Sequence, residues 1–166
     1  MTRPRTATAL TCCVLALVAT GCGIRPTGVM DFGTAPAGIS QGMRVYFASD
    51  SGPRGVSRPD VRIDRLDAAF KLLLSGPTEE ERAEGLTNLV TVDDSPSATS
   101  RHGNVTAHTP GLSTDSPKDQ SIGQLVCTLA RAEVLLHHTR PDKVQVTIVG
   151  ESGRAGPYQC QQFLSR

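Results

Sequence analysis

Two segments of the chain carry apolar residues at helical spacing. In the first, four apolar residues fall on one stripe: Leu66, Phe70, Leu73 and Leu74. Asp64 is a predicted cap for the start of this helix. Gly76 followed by Pro77 predicts its end, because glycine accepts a left-handed cap and proline cannot continue a helix.

A short helix is predicted directly after this junction, over residues 79–84. Thr78 and Glu81 fit a capping box at its start, and Gly85 is the predicted stop. The acidic residues 79–81 fall in the first turn, where the helix dipole favours negative charge. Capping explains this acidic run, so we predict no metal site there.

The second long helical segment carries two apolar faces. Its main stripe consists of Ile122, Leu125, Val126, Leu129 and Leu136. Ser116 suits the cap, Pro117 the first helical position and Asp119 the reciprocal acid. At about 100° per residue, three more residues lie on nearly the opposite side: Cys127, Ala130 and Val134. A surface helix would be polar there, so we expect the tail that carries Cys160 to cover this second face.

Short β-prone or alternating runs predict the strands. They lie at residues 43–47, 88–92, 104–108 and 143–149, with a further candidate near 55–57. Residues 93–101 and 150–157 are rich in turn-forming residues, and both are predicted to be loops or turns.

The front of the chain has the features of an export signal. Arg3 and Arg5 give it a positive start, and residues 7–19 are mostly apolar. This apolar core is too short to cross a bilayer stably as a helix, which takes about 20 residues. A charged start, a short apolar core and small residues after it are typical of a signal that is removed.

The end of that signal resembles the lipobox of bacterial lipoproteins. Thr20 and Gly21 precede Cys22, although Ala19 stands where these proteins usually have leucine. We therefore predict a signal peptide over residues 1–21 and a mature protein whose Cys22 carries lipid, including palmitate-type acyl chains. An ordinary secretory signal, with Cys22 incidental, is the alternative.

Residues 22–42 are predicted to form the lipidated cysteine and a flexible tether. This stretch is rich in glycine and contains two prolines, and a flexible chain of about 20 residues spans roughly 25 Å. Packing of residues 29–32 on the domain is the alternative for that short piece. Loss of the signal removes two of 17 basic residues and no acid, leaving 15 against 16 acids, or a net charge of −1. No clustered basic face is evident, so we predict no nucleic-acid partner.

The remaining cysteines suggest a disulfide. Cys12 and Cys13 leave with the signal and Cys22 is assigned to lipid, which leaves Cys127 and Cys160 as an even pair in a compartment that permits bridges. Two buried free thiols are the alternative.

No stretch of the sequence matches a known motif for a catalytic, metal-binding or cofactor-binding site. The four histidines, His102, His108, His137 and His138, do not occur in an H-E-x-x-H pattern. The chain has no G-x-S-x-G elbow, and the glycine-rich stretch 150–156 lacks G-x-G-x-x-G spacing. Pairs of carboxylates that meet only in the fold are not recognisable from spacing.

Several stretches resemble GerMN domains, the family named for the spore germination protein GerM. These are residues 73–78 (LLSGPT) with Glu81 and 85–86, residues 124–129 (QLVCTL), the strand 144–150, and the start 22–27 (CGIRPT). The resemblance covers roughly residues 43–163, most of the mature chain, and predicts a GerMN-like domain over residues 43–166. It implies an α+β domain with a mixed or antiparallel sheet and two main helices in a repeated β-α-β-like order. It also implies a role at the cell envelope. Some members of the family act beside a sensor kinase through an attached propeller domain. This chain has no room for a propeller, so we do not predict that partner.

The leading hypothesis is a non-enzymatic, lipid-anchored binding or accessory domain. It would lie on the outer face of the cytoplasmic membrane and contact peptidoglycan or a membrane protein. The first alternative is an envelope enzyme, such as a glycan hydrolase whose acids meet only in the fold; a cleft with two facing carboxylates would favour it. A second alternative is a structural partner in an envelope complex, which an exposed apolar patch beside the first helix would favour.

Overall fold

A computed structural model of the protein describes residues 42–93, 95–116 and 119–164. The predicted signal peptide, Cys22 and the predicted tether up to residue 41 lie outside the described residues. All described residues belong to one compact unit.

The domain is α+β, as the resemblance implied. Its strands are β1 (Met43–Phe47), β2 (Arg54–Arg58), β3 (Ser97–Arg101), β4 (Asn104–His108), β5 (Gln145–Gly150) and β6 (Gly153–Tyr158). Its helices are α1 (Leu66–Leu74), α2 (Glu79–Ala83), α3 (Gln120–His137) and α4 (Gln161–Leu164), with a 3₁₀ turn at Pro141–Lys143. β1 and β2 form an antiparallel pair, while the second sheet has the order β3-β4-β5-β6 and is mixed. Its one parallel pair is β4 with β5, and α3 connects them.

Helix α3 lies at the centre of the core. Every residue from Ser121 to Ala130 is buried, so the helix is covered on both of the faces that the sequence indicated. The four-stranded sheet turns an apolar inner face into the same core: Val105, Ala107, Val146 and Ile148. β1 contributes alternate residues, Met43, Val45 and Phe47, and α1 its predicted apolar stripe.

Two polar side chains of α3 form hydrogen bonds with backbone groups on the edge of β1 that faces away from β2. The backbone N–H of Tyr46 donates to Thr128 Oγ1 at 3.0 Å. Gln124 Nε2 donates to the carbonyl oxygens of Thr87 (3.0 Å) and Tyr46 (3.4 Å), and its Oε1 accepts from the Leu89 N–H at 2.9 Å. Both side chains are fully buried, so backbone groups without a strand partner are satisfied from the helix.

The helix ends agree with the sequence in part. Gly76 has φ +77°, which confirms the left-handed end of α1. The Asp64 cap is wrong, because Arg65 occupies the cap position and makes no side-chain bond there. The start predicted from Ser116 is also wrong, because Asp119 is the cap and accepts from the Ser121 N–H.

The capping box of α2 is confirmed. Thr78 accepts from the Glu81 backbone N–H, and Glu81 accepts from the Thr78 N–H. Arg58 donates two bonds to the Glu81 carboxylate, at 2.5 and 2.7 Å, which ties α2 to β2. These bonds, the Arg58 pair foremost, lower the pKa of Glu81.

Three predictions about strands and loops are wrong. Residues 88–92 form no strand; only Thr87, just before them, makes a bridge, to Ala48. β3 lies inside the predicted loop 93–101, and five of the six residues of β6 fall in the predicted turn 150–157. The candidate near 55–57 is confirmed as β2.

Candidate binding surfaces

Cys127 and Cys160 are joined by a disulfide, with their Cα atoms 4.5 Å apart. The bridge holds the tail on the second face of α3, as the sequence predicted. Phe163 of α4 is buried beside Gly123, since a Cβ at Gly123 would lie 2.9 Å from the Phe163 ring. The tail therefore covers α3 at Gly123 and Cys127.

Further along α3 this cover ends, and a groove of about 490 Å³ opens beside the disulfide. We call it the disulfide groove. Its apolar lining includes Tyr46, Ala130, Val134 and Leu164, and its polar lining includes Arg131 and Gln159. Leu164 is 46% exposed, an unusual state for a large apolar side chain that packs beside a groove.

Arg131 connects the disulfide groove to the point where the chain enters the domain. Its guanidinium donates to the carbonyl oxygen of Gly42 through Nε (3.2 Å) and Nη2 (2.7 Å). Burial lowers the pKa of this guanidinium, and the positive charge of Arg44 lowers it further. Arg44 and Tyr46 share one side of β1, where both lie over Gly55. Arg131 and Arg44 therefore place two positive charges near one side of the groove, while Asp142, which also lines the groove, adds a negative one.

A second surface is the outer face of the four-stranded sheet, which we call the threonine face. The register places Thr99, Thr106 and Thr147 in one row across three strands. The other outward residues of these three strands are Ser97, Arg101, Asn104, His108, Gln145 and Val149, and Arg154 of β6 lies beside Val149. None of these ten positions is acidic, and none is buried. Strand spacing is about 4.8 Å, so the face presents closely spaced hydroxyls and amides, with one arginine on each edge strand.

A crevice of about 420 Å³ lies at one end of the threonine face, beside His108 and Val149. Asp93 and Glu151 both line it, and both side chains are exposed. Sequence spacing could not have paired these two acids, because Asp93 is bonded to Pro110, which follows β4, and Glu151 follows β5, the parallel partner of β4.

Several other acids and histidines have structural contacts. In the acidic run, Glu81 caps α2 and pairs with Arg58. Glu133 is buried at the end of α3, where its carboxylate contacts His137 Nδ1 at 2.8 Å and accepts from Thr139 Oγ1 at 3.3 Å. Within the described ranges, no group of three or more histidine, cysteine or acidic side chains could hold a metal ion.

The structure therefore brings together the two predicted disulfide cysteines, while Cys22 lies outside the described residues. Sequence reasoning missed the groove residues Tyr46 and Arg131. A local signal was present at Arg131, a charged residue between Ala130 and Ala132 in the predicted helix. The described helices include none that is long and apolar enough to cross a bilayer. No protein-family model, curated protein or solved structure matches this chain.

Proposed function

We propose that the protein is a lipid-anchored binding or accessory domain of the cell envelope, without catalytic activity of its own. It would be held through Cys22 on the outer face of the cytoplasmic membrane and bind peptidoglycan. The GerMN-like motifs and the lipobox-like ending at Cys22 support this placement. The disulfide agrees with it, because such bridges persist in oxidising compartments outside the cytoplasm.

The observation that carries the binding hypothesis is the threonine face. A polar face of a sheet can simply be solvated. This one combines a row of hydroxyls, flanking amides, and Arg101 and Arg154 without any acid among its outward strand positions. Hydroxyl and amide groups suit the sugars and acetamido groups of a glycan, and the arginines suit the carboxylates of its peptide stems. Peptidoglycan has all of these groups.

The test is a pelleting assay with purified cell-wall sacculi and the soluble chain from residue 23 onward. We expect saturable pelleting that Thr106→Glu weakens at least tenfold, because a carboxylate at the centre of the face would repel wall carboxylates and block hydroxyl contacts. Lys71→Glu on α1 is the matched control, since it is exposed, changes charge by a larger amount and lies off this face. Equal pelleting of both variants would reject the threonine face as the wall-binding surface.

Absence of pelleting in the unmodified chain would reject peptidoglycan as the ligand. The hypothesis would then turn to a membrane protein partner, to be sought by crosslinking the intact anchored protein in cells. Labelling with an alkyne palmitate analogue tests the anchor separately. Incorporation that Cys22→Ser abolishes is the expected result, and incorporation that survives this change would contradict the assignment of Cys22.

One observation favours the alternative of a glycan hydrolase. Asp93 and Glu151 line a single crevice that adjoins the threonine face, and glycosidases use such carboxylate pairs. Both side chains are exposed, however, whereas the general acid of these enzymes usually lies in an apolar pocket. Release of soluble muropeptides by the purified chain, lost in Asp93→Asn and in Glu151→Gln, would establish the enzyme and reject the non-catalytic proposal.

A further inference from the structure

We propose that the Cys127–Cys160 disulfide is a reducible latch on the tail of the domain. Reduction by a protein dithiol of the C-x-x-C class would free residues 159–164 from α3 and leave the rest of the domain folded. Release of the tail would uncover an apolar strip along α3. This inference does not depend on peptidoglycan binding, which we assign to the threonine face.

The bridge can be reached through the disulfide groove, because Cys127 and Cys160 both line it. Cys127 is buried within α3, whereas Cys160 is half-buried at the start of the tail. Thiol–disulfide exchange needs access to one sulfur, and exposed bridges are the ones that reductants open most readily. We therefore expect the reductant to attack the sulfur of Cys160.

The exchange has two steps, and its atoms and electrons balance. In the first step, one thiolate of the reductant forms a bond to Cys160 Sγ, while Cys127 Sγ leaves with the electron pair and takes up a proton. In the second step, the other thiol of the reductant loses its proton and attacks the mixed disulfide, and Cys160 Sγ leaves and is protonated. Two electrons and two protons pass to the two cysteines, and the reductant is left with a disulfide.

Within the described residues, few contacts other than the bridge hold the tail on the domain. α4 is a single turn, which is too short to be stable by itself. Its buried side chain, Phe163, lies beside Gly123 and meets the ring of Tyr158 edge-on. Gln159 Nε2 donates to the carbonyl oxygen of Asp142 at 3.0 Å. One aromatic side chain and these bonds do not offset the conformational entropy of six ordered residues, so the tail should detach once the bridge is open.

The bridge lies where the covered part of an apolar strip meets its open part. Gly123, Cys127, Ala130 and Val134 recur at helical spacing on the second face of α3. The tail covers the strip at Gly123 and Cys127, while Ala130 and Val134 line the groove. Detachment of the tail would join the two parts into one apolar surface of about three helical turns. The rest of the core should remain intact, because α3 also packs on α1, β1, β4 and β5.

A thioredoxin, recycled by its reductase and NADPH, tests the latch on the oxidised chain from residue 23 onward. Cys127 and Cys160 are the two cysteines of that chain. We expect reduction without denaturant, with one NADPH oxidised for each chain. A thioredoxin that lacks its second cysteine should be trapped on Cys160, which peptide mass spectrometry would identify.

A matched pair of variants tests whether the reductant enters through the groove. Gln161 and Gln162 are neighbouring exposed residues of α4, and of these two it is Gln161 that lines the groove. Gln161→Trp should slow reduction at least threefold, because the indole would cover the approach to Cys160. Gln162→Trp is the control and should not slow reduction.

Release of the tail can be followed by tryptophan fluorescence, because the natural chain contains no tryptophan. Phe163→Trp should emit at shorter wavelength in the oxidised chain, and reduction should make its quenching by acrylamide at least threefold stronger. Phe70→Trp, at a buried phenylalanine of α1, is the control and should not respond to reduction. If a variant is not folded, hydrogen exchange of the unmodified chain replaces it, with faster exchange after reduction at residues 161–164 and not in β4 or β5.

Three results would overturn the proposal. Reduction that requires denaturant would mean that a dithiol protein cannot reach the bridge. A tail that stays protected after reduction would mean that other contacts hold it. Loss of the far-ultraviolet circular dichroism signal on reduction would mean that the bridge stabilises the whole domain and is not a latch on the tail. Wall pelleting through the threonine face does not involve the tail, so the two proposals can fail separately.

Discussion

Replacing Gln124 with leucine would test whether the buried glutamine of α3 holds the two halves of the core together. Leucine has a similar volume and keeps helix propensity, so the change removes hydrogen bonds while it leaves little cavity. Three backbone groups lose a partner: the Leu89 N–H and the carbonyl oxygens of Tyr46 and Thr87.

The expected loss of stability depends on which hydrogen bonds each of these three backbone groups still makes in the variant. The Thr87 carbonyl still accepts from the Ala48 N–H at 2.8 Å, and the bond to Tyr46 is long at 3.4 Å, so both losses are small. The Leu89 N–H loses its 2.9 Å bond; Leu89 is 45% exposed and the bond is partly buried, so the cost falls in the lower part, about 1–2 kcal/mol, of the roughly 1–3 kcal/mol that an unsatisfied buried donor costs. Extra apolar burial by leucine offsets about 1 kcal/mol at most. We therefore expect a net destabilisation of about 1–2 kcal/mol.

Urea denaturation of the oxidised chain from residue 23, followed by circular dichroism, measures this change. With a slope of about 1–3 kcal/mol per molar urea, the midpoint should fall by roughly 1 M. Gln120→Leu, one turn earlier on α3, is the matched control. The Gln120 Oε1 is buried and has no hydrogen-bond partner among the described residues, so leucine there should be neutral or slightly stabilising. A midpoint for Gln124→Leu equal to that of Gln120→Leu would refute the reasoning.

Three further changes have expected outcomes. The Cys127→Ala/Cys160→Ala double variant, with 33 residues of separation, should lose about 4 kcal/mol in urea denaturation, and detection of free thiols in the unmodified oxidised, denatured chain would contradict the bridge. Glu81→Gln keeps the capping geometry but loses the ion pair with Arg58, so it should cost about 1 kcal/mol at pH 7. The folded-state pKa of Glu81 is lowered, so its contribution is present above the unfolded pKa of about 4.3 and is lost as pH falls through the folded value; a difference from wild type that persists at pH 2 would contradict this. Gly123→Ala should destabilise by about 1–2 kcal/mol despite better helix propensity, because its Cβ would lie 2.8 Å from Pro53; a higher melting temperature would contradict it.

The parts of the fold that the sequence predicted depend on local physics. The glycine–proline end of α1 and the capping box of α2 are satisfied within a few residues, so their signals survive in the sequence. β1, β4 and β5 place apolar residues on one face, which alternation reveals. These elements would be predicted in almost any tertiary context.

The parts that the sequence missed depend on pairing across the chain. β3 (SATSR) and β6 (GRAGPY) lack apolar alternation, and they are strands because β4 and β5 offer them edges. Residues 88–92 have strand-like composition, but the Gln124 side chain takes the Leu89 N–H, and the Asn88 side chain takes the Val90 N–H. A side chain distant in sequence thus replaces a neighbouring strand, and no local pattern indicates it.

The candidate surfaces also divide into features that local sequence predicts and features that depend on pairing between distant parts of the chain. Cysteine counting and the second apolar face of α3 predicted that the tail would lie on the helix, and the disulfide confirms it. The threonine face could not be predicted, because Thr99 belongs to a strand that the sequence did not indicate and the row exists only through the register. The disulfide groove could not be predicted either, because it is the space beside α3 that the tail does not cover.

The hydrogen bonds on both edges of β1 affect how the domain responds to a pulling force. Any tension on the chain upstream of Gly42 enters the domain along the axis of this strand. β1 is paired with β2 at five positions on one edge and bonded by Gln124 and Thr128 on the other. The ladder bonds lie perpendicular to such a pull, so they are loaded in shear and must break together instead of one after another. The bond from Arg131 to Gly42 takes the load first. A domain pulled from this end therefore loads the β1–β2 pair in shear, which would suit the position between a membrane and a wall that we propose.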